Sequence, residues 1–229
     1  MEHFNWTQAI PGVGHHYIHI AMAALVTIFI LGLAVWGYVA LGQGEQAVTP
    51  SGFFNIKGFW EVLVEFIVSN VDSVIGHHGR KYVPIFGTIF IFILFNNLAG
   101  LLPGFTPATD NINTTVAVGL FVFLIYNALG AKESGVAYFK HFLGPVWWLA
   151  PLMLVIELIS HIVRPMSLGL RLMGNMTGDH TVLSIFLQKA PFFVPMIFYG
   201  LGIFVCFIQA FVFTLLSMVY VGMATEHDH

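Results

Sequence analysis

Fixed charge is scarce in this sequence: 8 Lys and Arg with 11 Asp and Glu amount to 8% of 229 residues. A soluble domain with about a quarter of its residues charged would carry roughly 57. That shortfall, together with 58% hydrophobic residues, 23 Phe and a mean hydropathy of +0.85, excludes an ordinary water-soluble enzyme, a disordered tail and a basic nucleic-acid binder. Cysteine occurs once, at Cys206, so no intrachain disulfide can form and a disulfide-stapled secreted domain is excluded too. Lys and Arg are missing from the opening MEHFNWTQAIPG, which carries Glu2 instead. A signal peptide or transit peptide needs the opposite charge there, so the first apolar run is expected to stay in the mature chain. No GxxxxGK[ST] nucleotide loop and no HExxH metal motif occurs. No internal repeat is found, which speaks against an inverted-repeat transporter. Three Asn-x-Thr sequons stand at Asn5, Asn113 and Asn175; one adjoins an apolar run and another lies within one, so none is read as a glycosylation site. What remains is an integral membrane protein.

The long apolar runs set its organisation. Residues 18–41 carry no fixed charge and exceed the roughly 20 residues that cross about 30 Å of hydrocarbon as a helix. Residues 84–103 and 113–130 are two further spans, joined by a Gly/Pro/Thr-rich turn containing Asp110, and are expected to form a helical hairpin. Between the first two spans, residues 57–75 place Glu61, Glu65, Ser69 and Asp72 in one narrow polar stripe on an otherwise apolar helix. Such a helix fits the membrane interface, the alternative being a helix buried in protein. Residues 146–187 and 191–223 are too long to stand upright: at about 1.5 Å per residue they would measure roughly 63 and 50 Å. Either they tilt steeply, or the first breaks at Pro165. Lys and Arg fall in the 42–83 connection (Lys57, Arg80, Lys81) and the 131–145 loop (Lys132, Lys140), and are absent from residues 1–17 and 104–112. Positive charge stays cytoplasmic, so the N-terminal tail 1–17 is expected outside and the tail 224–229 inside. The reading is a single all-α polytopic membrane domain, 1–229, with about five membrane helices and one amphipathic interfacial helix.

An ionisable group within an apolar segment costs about 2.5 to 3.5 kcal/mol on insertion scales and is a functional candidate by default. Most such groups fall in residues 157–180, which hold Glu157, His161, Arg164, Arg171, Asp179 and His180. Winding this stretch at about 100° per residue puts Glu157, Ser160, Arg164, Ser167 and Asn175 within roughly 40° of Arg171, and His180 roughly opposite. A guanidinium cannot shed its proton to escape desolvation, so Arg171 is a permanent cation in the membrane. It either works on a partner or forms a structural ion pair with Glu157 or Asp179. Arg164, beside Pro165, reads as a charge that snorkels to the interface.

The segments PMSLGLRLMGNM, FNNLAGLLPG at 95–104, Asp110 and Asn113 in the following turn, and IQAFVFTLLSMVYVGMA bearing Gln209 resemble subunit a of the F-type ATP synthase over nearly the whole chain. The resemblance implies a stator subunit of the membrane sector, itself non-catalytic, working with a ring of small c subunits, peripheral-stalk b subunits and the remainder of the ATP synthase in a bacterial inner membrane. It implies that Arg171 faces the ring's carboxylate, that the helices matching 146–187 and 191–223 form a steeply tilted hairpin along the ring, and that two offset proton half-channels meet there. Asn175, His180 and Gln209 match positions that line or shape the access paths, and Glu157 and Ser160 border the cytoplasmic one; Asn97, Asp110 and Asp179 are supporting candidates. The family carries Glu or His at the position of His180, in some members with a titratable partner where this chain has Gly202. His180 must then work with water or with Asp179. No cofactor, metal or nucleic acid is expected, and membrane lipid is.

Weaker features receive plainer readings. His15, His16 and His19 lack an acid and read as a solvated, proton-collecting external surface rather than a zinc site. Glu61 and Glu65 read as the wet side of the interfacial helix, and the His227 to His229 tail as solvated. The rival from another class is a stand-alone secondary transporter or ion channel using Arg171 as a counter-charge.

Overall fold

The structure is a computed structural model that describes residues 17–41, 55–102, 105–135, 150–189 and 193–225. Among the described residues there are helices and no strand, and five helices are long and apolar enough to cross a membrane. The chain falls into two compact units, Met1–Ala108 and Thr109–His229. His15, His16, Lys140 and the His227 to His229 tail lie outside the described residues.

The first unit holds α1 (Ile18–Leu41), α2 (Ile56–Val74), a 3-10 turn (His77–Tyr82) and α3 (Val83–Ala99). Along α2, Leu63, Ile67 and Val71 recur every fourth residue and are buried, while Glu65 and Ser69 on another side are exposed. Phe66 packs on Phe90 of α3 with ring centres 5.7 Å apart. Glu61 does not simply face water, because it pairs at 3.7 Å with Lys57, a buried residue one turn earlier. Gly76 ends α2 with φ 84, a conformation that favours glycine. Arg80 in the 3-10 turn then reaches back to Asp72, donating from Nε at 2.9 and 3.1 Å and from Nη2 at 2.6 Å. That guanidinium holds the Asp72 carboxyl below the usual carboxylate range.

Apolarity continues past the end of α3, which stops at Ala99 rather than at 103. Gly100 is buried against Pro107, where a Cβ would come within 2.6 Å of the proline ring, and the chain turns there. The apolar signal thus marked burial beyond the point where the helix ends. α3 belongs to the first unit; the helix expected to pair with it belongs to the second.

The second unit comprises α4 (Ile112–Ser134), α5 (Ala150–Lys189) and α6 (Phe193–Thr225). Asn111 caps α4, its side chain accepting from Asn113 N at 2.9 Å. α5 runs unbroken through Pro165, whose missing N–H cannot bond the His161 carbonyl. The split expected as one alternative does not occur. A close helix crossing supports this region: a Cβ on Gly119 of α4 would lie 2.5 Å from the Pro165 carbonyl oxygen, and one on Gly169 of α5 would lie 3.0 Å from that of Thr115. Small residues let two backbones meet in this way, and membrane helices tolerate proline where neighbours pack against it.

At 40 and 33 residues, α5 and α6 would measure about 60 and 50 Å. Helices of that length cross a core of about 30 Å only at a steep incline. They pack on each other and on α4, with Leu168, Leu172, Met176, Cys206, Ala210, Phe213 and Met218 forming the buried row between them. Phe186 and Phe198 stack at 4.2 Å near the turn that joins them.

Candidate functional site

The site grows from α5. Its buried residues His161, Leu168, Leu172, Met176 and Leu183 follow helical spacing and fix one row against α4 and α6. Arg171 lies about 100° around the helix from that row, and is exposed. Among the described residues no acid lies within 4.0 Å of it, which removes the structural ion pair as an account of Arg171. Gly174 and Gly178 follow it along the helix, both exposed, with open space where a Cβ would stand. A fixed cation therefore projects from a face with small side chains nearby, which a partner helix can approach closely.

Next to Arg171, Asn175 donates from Nδ2 to Gln209 Oε1 on α6 at 2.5 Å. Gln209 is 4% exposed, and its Nε2 is buried with no partner. Two amides from facing helices are thus locked together one turn beyond the arginine.

Further along α5, Thr177 donates its hydroxyl to Asp110 Oδ1, tying the turn before α4 to the helix. Asp179 is half-buried and its Oδ2 is enclosed without a partner. His180, the next residue, is half-buried. Asn97 lies in the first unit, fully buried beside Asn96, whose Nδ2 donates to Phe92 O at 2.7 Å.

Toward the start of α5, Glu157 and Ser160 are half-buried. Glu157 Oε1 lies 3.6 Å from Arg164 Nη2 and 3.8 Å from His161 Nδ1. Arg164 also sits 5.5 Å from the centre of the Tyr220 ring on α6. This corrects the reading of Arg164 as a snorkelling charge: the carboxylate two turns earlier and the facing tyrosine hold it against the protein. His161 is 7% exposed and its Nε2 lies 3.0 Å from Asn127 Oδ1 on α4. Sequence reasoning put His161 in the polar stretch without assigning it a task, and passed over Asn127, Tyr220 and Thr177. The i, i+4 spacing of Glu157 and His161 was a usable signal; the partners on other helices left none.

Among the described residues no cluster of three or more His, Cys, Asp or Glu could hold a metal. What the fold and site define is a polytopic α-helical membrane protein with a permanent cation exposed midway along an overlong helix. Residues 18–222 match the family described as ATP synthase A chain. ATP synthase subunit a from Bdellovibrio bacteriovorus is 57% identical over 99% of both chains, and ATP synthase subunit a 1 from Syntrophotalea carbinolica is 42% identical over 100% of this chain and 95% of its own. ATP synthase subunit a from Geobacter sulfurreducens is 48% identical over 79% of this chain and 77% of its own. The chain belongs to the ATP synthase subunit a family.

Proposed function

We propose that this chain is the stator of a rotary ATP synthase's membrane sector, presenting Arg171 to the carboxylate of a ring of small c subunits. The carrying observation is the exposed Arg171, free of any described acid partner and flanked by open glycine surface. A protonated carboxylic acid on the ring travels cheaply through lipid; its anion does not, and is stabilised only beside a cation. Arg171 therefore favours proton release on arrival. It keeps its own proton and its charge, so it also blocks a direct leak between the two half-channels.

The positive charges of residues 42–83 and 131–145 place the start of α5 on the cytoplasmic side and the α5–α6 turn outside. On that topology Glu157 and Ser160 border the cytoplasmic path. Asn175, Gln209, Asp179, His180 and Asp110 belong to the outer one, with Asp179 supplying the titratable group that Gly202 lacks. Each proton falling through 100 mV releases about 2.3 kcal/mol, and several together drive ATP synthesis elsewhere in the complex. The chain contributes no nucleotide site. Its partners are the c ring, the peripheral-stalk b subunits and the rest of the complex, in the inner membrane of a bacterium with the N-terminus outside and the C-terminus cytoplasmic.

The test is ATP-driven proton pumping in inverted vesicles carrying Arg171→Ala, with assembly followed by copurification of the c ring. Pumping is expected to vanish while the ring still copurifies. Normal pumping by assembled Arg171→Ala complexes would eliminate this reading.

A further inference from the structure

The polar cluster near the start of α5 contains a group that the proton path above leaves unused. Asn127 Nδ2 donates to the Phe123 carbonyl one turn earlier at 2.7 Å, which orients the amide. Reversing it would set Oδ1 against that carbonyl, so Oδ1 is the atom facing His161 Nε2 at 3.0 Å. An acceptor there requires Nε2 to carry the proton of the neutral ring, which leaves Nδ1 with a lone pair. That lone pair faces Glu157 Oε1 at 3.8 Å, and Nδ1 is enclosed from solvent. Glu157 is the more open of the two, its side chain 33% exposed against 9% for His161, and it stands one turn nearer the start of α5. Protons therefore come and go at Glu157.

We propose that His161 is a positioning residue of the cytoplasmic path: its neutral ring offers Nδ1 as the acceptor for Glu157 in the acid form, while Arg164 holds the carboxylate form. The proposal rests on the reading above that Glu157 borders that path. During ATP-driven pumping the Glu157 carboxylate takes a proton from cytoplasmic water. The acid then turns from Arg164 Nη2, 3.6 Å from Oε1, toward Nδ1, and its O–H donates to the lone pair. When the proton moves on toward the rotor, the carboxylate swings back to the guanidinium. His161 neither gains nor loses a proton in the cycle, and synthesis runs the same steps in reverse.

Charge balance favours a neutral ring. With His161 neutral, one carboxylate answers one guanidinium; an enclosed imidazolium would put a second cation on the same oxygen, at the desolvation cost of a buried ion. In the acid state Arg164 keeps the Tyr220 ring, 5.5 Å away at its centre. From α4 the imidazole meets Asn127 and the edges of Phe123 and Tyr126, at 5.6 and 5.3 Å between ring centres. Lys132 and Glu133 lie one to two turns beyond Asn127, at the end of that helix. From α6, Tyr220 joins through Tyr126 at 6.0 Å and through Arg164. A ring held by an amide and two aromatic edges keeps its lone pair in one direction while Glu157 moves between two partners.

The experiment uses whole complexes in inverted vesicles, where the bath is the cytoplasmic side. Pumping is divided by ATP hydrolysis of the catalytic sector released from the same membranes. His161→Gln keeps a donor for Asn127 and removes the acceptor at Nδ1. Its pumping should fall off at a bath pH about one unit lower than in the unaltered complex, because the acid form of Glu157 has lost a hydrogen bond. Dependence on internal pH should stay unchanged. His161→Asn places a carbonyl oxygen near the position of Nδ1 and gives up the Asn127 bond, so it should keep the alkaline limb in place. A packing role predicts instead that the larger Gln is tolerated, the smaller Asn is defective, and the limb moves in neither. If His161→Gln fails to assemble, Asn127→Leu decides. Without an acceptor at Nε2 the ring puts its proton on Nδ1, becomes a donor to the carboxylate, and should move the limb the same way. An unmoved limb in the deciding variant overturns the positioning role, and so does an equal shift in His161→Gln and His161→Asn. Arg171→Ala vesicles run alongside separate the two levels. Blocked pumping there with an unmoved His161→Gln limb removes the positioning role alone, whereas normal pumping removes the stator reading and the positioning role with it.

Discussion

Arg164 and Arg171 stand two turns apart on one helix and within roughly 40° of the same face, yet their settings are opposite. Arg164 is half-buried, with Glu157 at 3.6 Å and the Tyr220 ring at 5.5 Å. Arg171 is exposed, and no described acid lies within salt-bridge reach. The guanidinium is the same in both; the neighbours make one a structural cation and leave the other open to bind a partner's charge. An intramembrane arginine thus announces a site only after its counter-charges have been traced.

The largest expected effect breaks this comparison directly. Arg171→Lys should cut pumping by about a hundredfold or more, since a flexible ammonium does not reproduce a planar fork aimed at a carboxylate. Arg164→Lys, which can still meet Glu157 and the Tyr220 ring, should retain most activity. Equal losses in pumping assays of the two variants would erase the distinction.

A smaller effect tests whether packing maintains the difference. Gly119→Ala drives a methyl toward the Pro165 carbonyl beside Arg164, and overpacking of this kind costs about 1 to 3 kcal/mol. Gly87→Ala in α3 meets nothing within 4 Å and should be neutral or slightly stabilising. Thermal aggregation of the purified complex, with the amount of subunit in the membrane, should separate the two glycines.

The smallest effect concerns a third arginine outside this helix. Asp72, at the end of the amphipathic α2, has its carboxyl lowered by Arg80. A folded value below the unfolded one stabilises the pair above the ordinary carboxylate value of about 4, and that contribution is lost as pH falls through the lower folded value. Asp72→Asn should therefore lower the thermal midpoint slightly at pH 7 and leave it unchanged at about pH 2, read by a melting series over pH. A larger loss at acid pH would reverse the sign and refute the pairing.

Much of this was legible in the sequence because membrane burial is written as long apolar runs. The five spans and the amphipathic α2 follow from that alone. Arg171 stood out because a permanent cation there is costly, and the i, i+4 rows placed its stripe. The course of α5 through Pro165 was not legible, since it depends on Gly119 lying 46 residues away. The end of α3 was missed because Gly100 and Leu101 are as apolar as the helix before them. Arg164 was misread because Tyr220 is distant in sequence.

The crossing of α4 over α5 also has a mechanical meaning. A helix loaded sideways at Arg171 behaves as a beam, and a beam deflects least where it is braced directly behind the load. Backbone rests on backbone at Gly119 with Pro165 and at Thr115 with Gly169, within about two turns of Arg171, with no compliant side chain between. The brace lets the helix meet a sideways load as a stiff member, holding its cation in place rather than bending away from whatever presses on it.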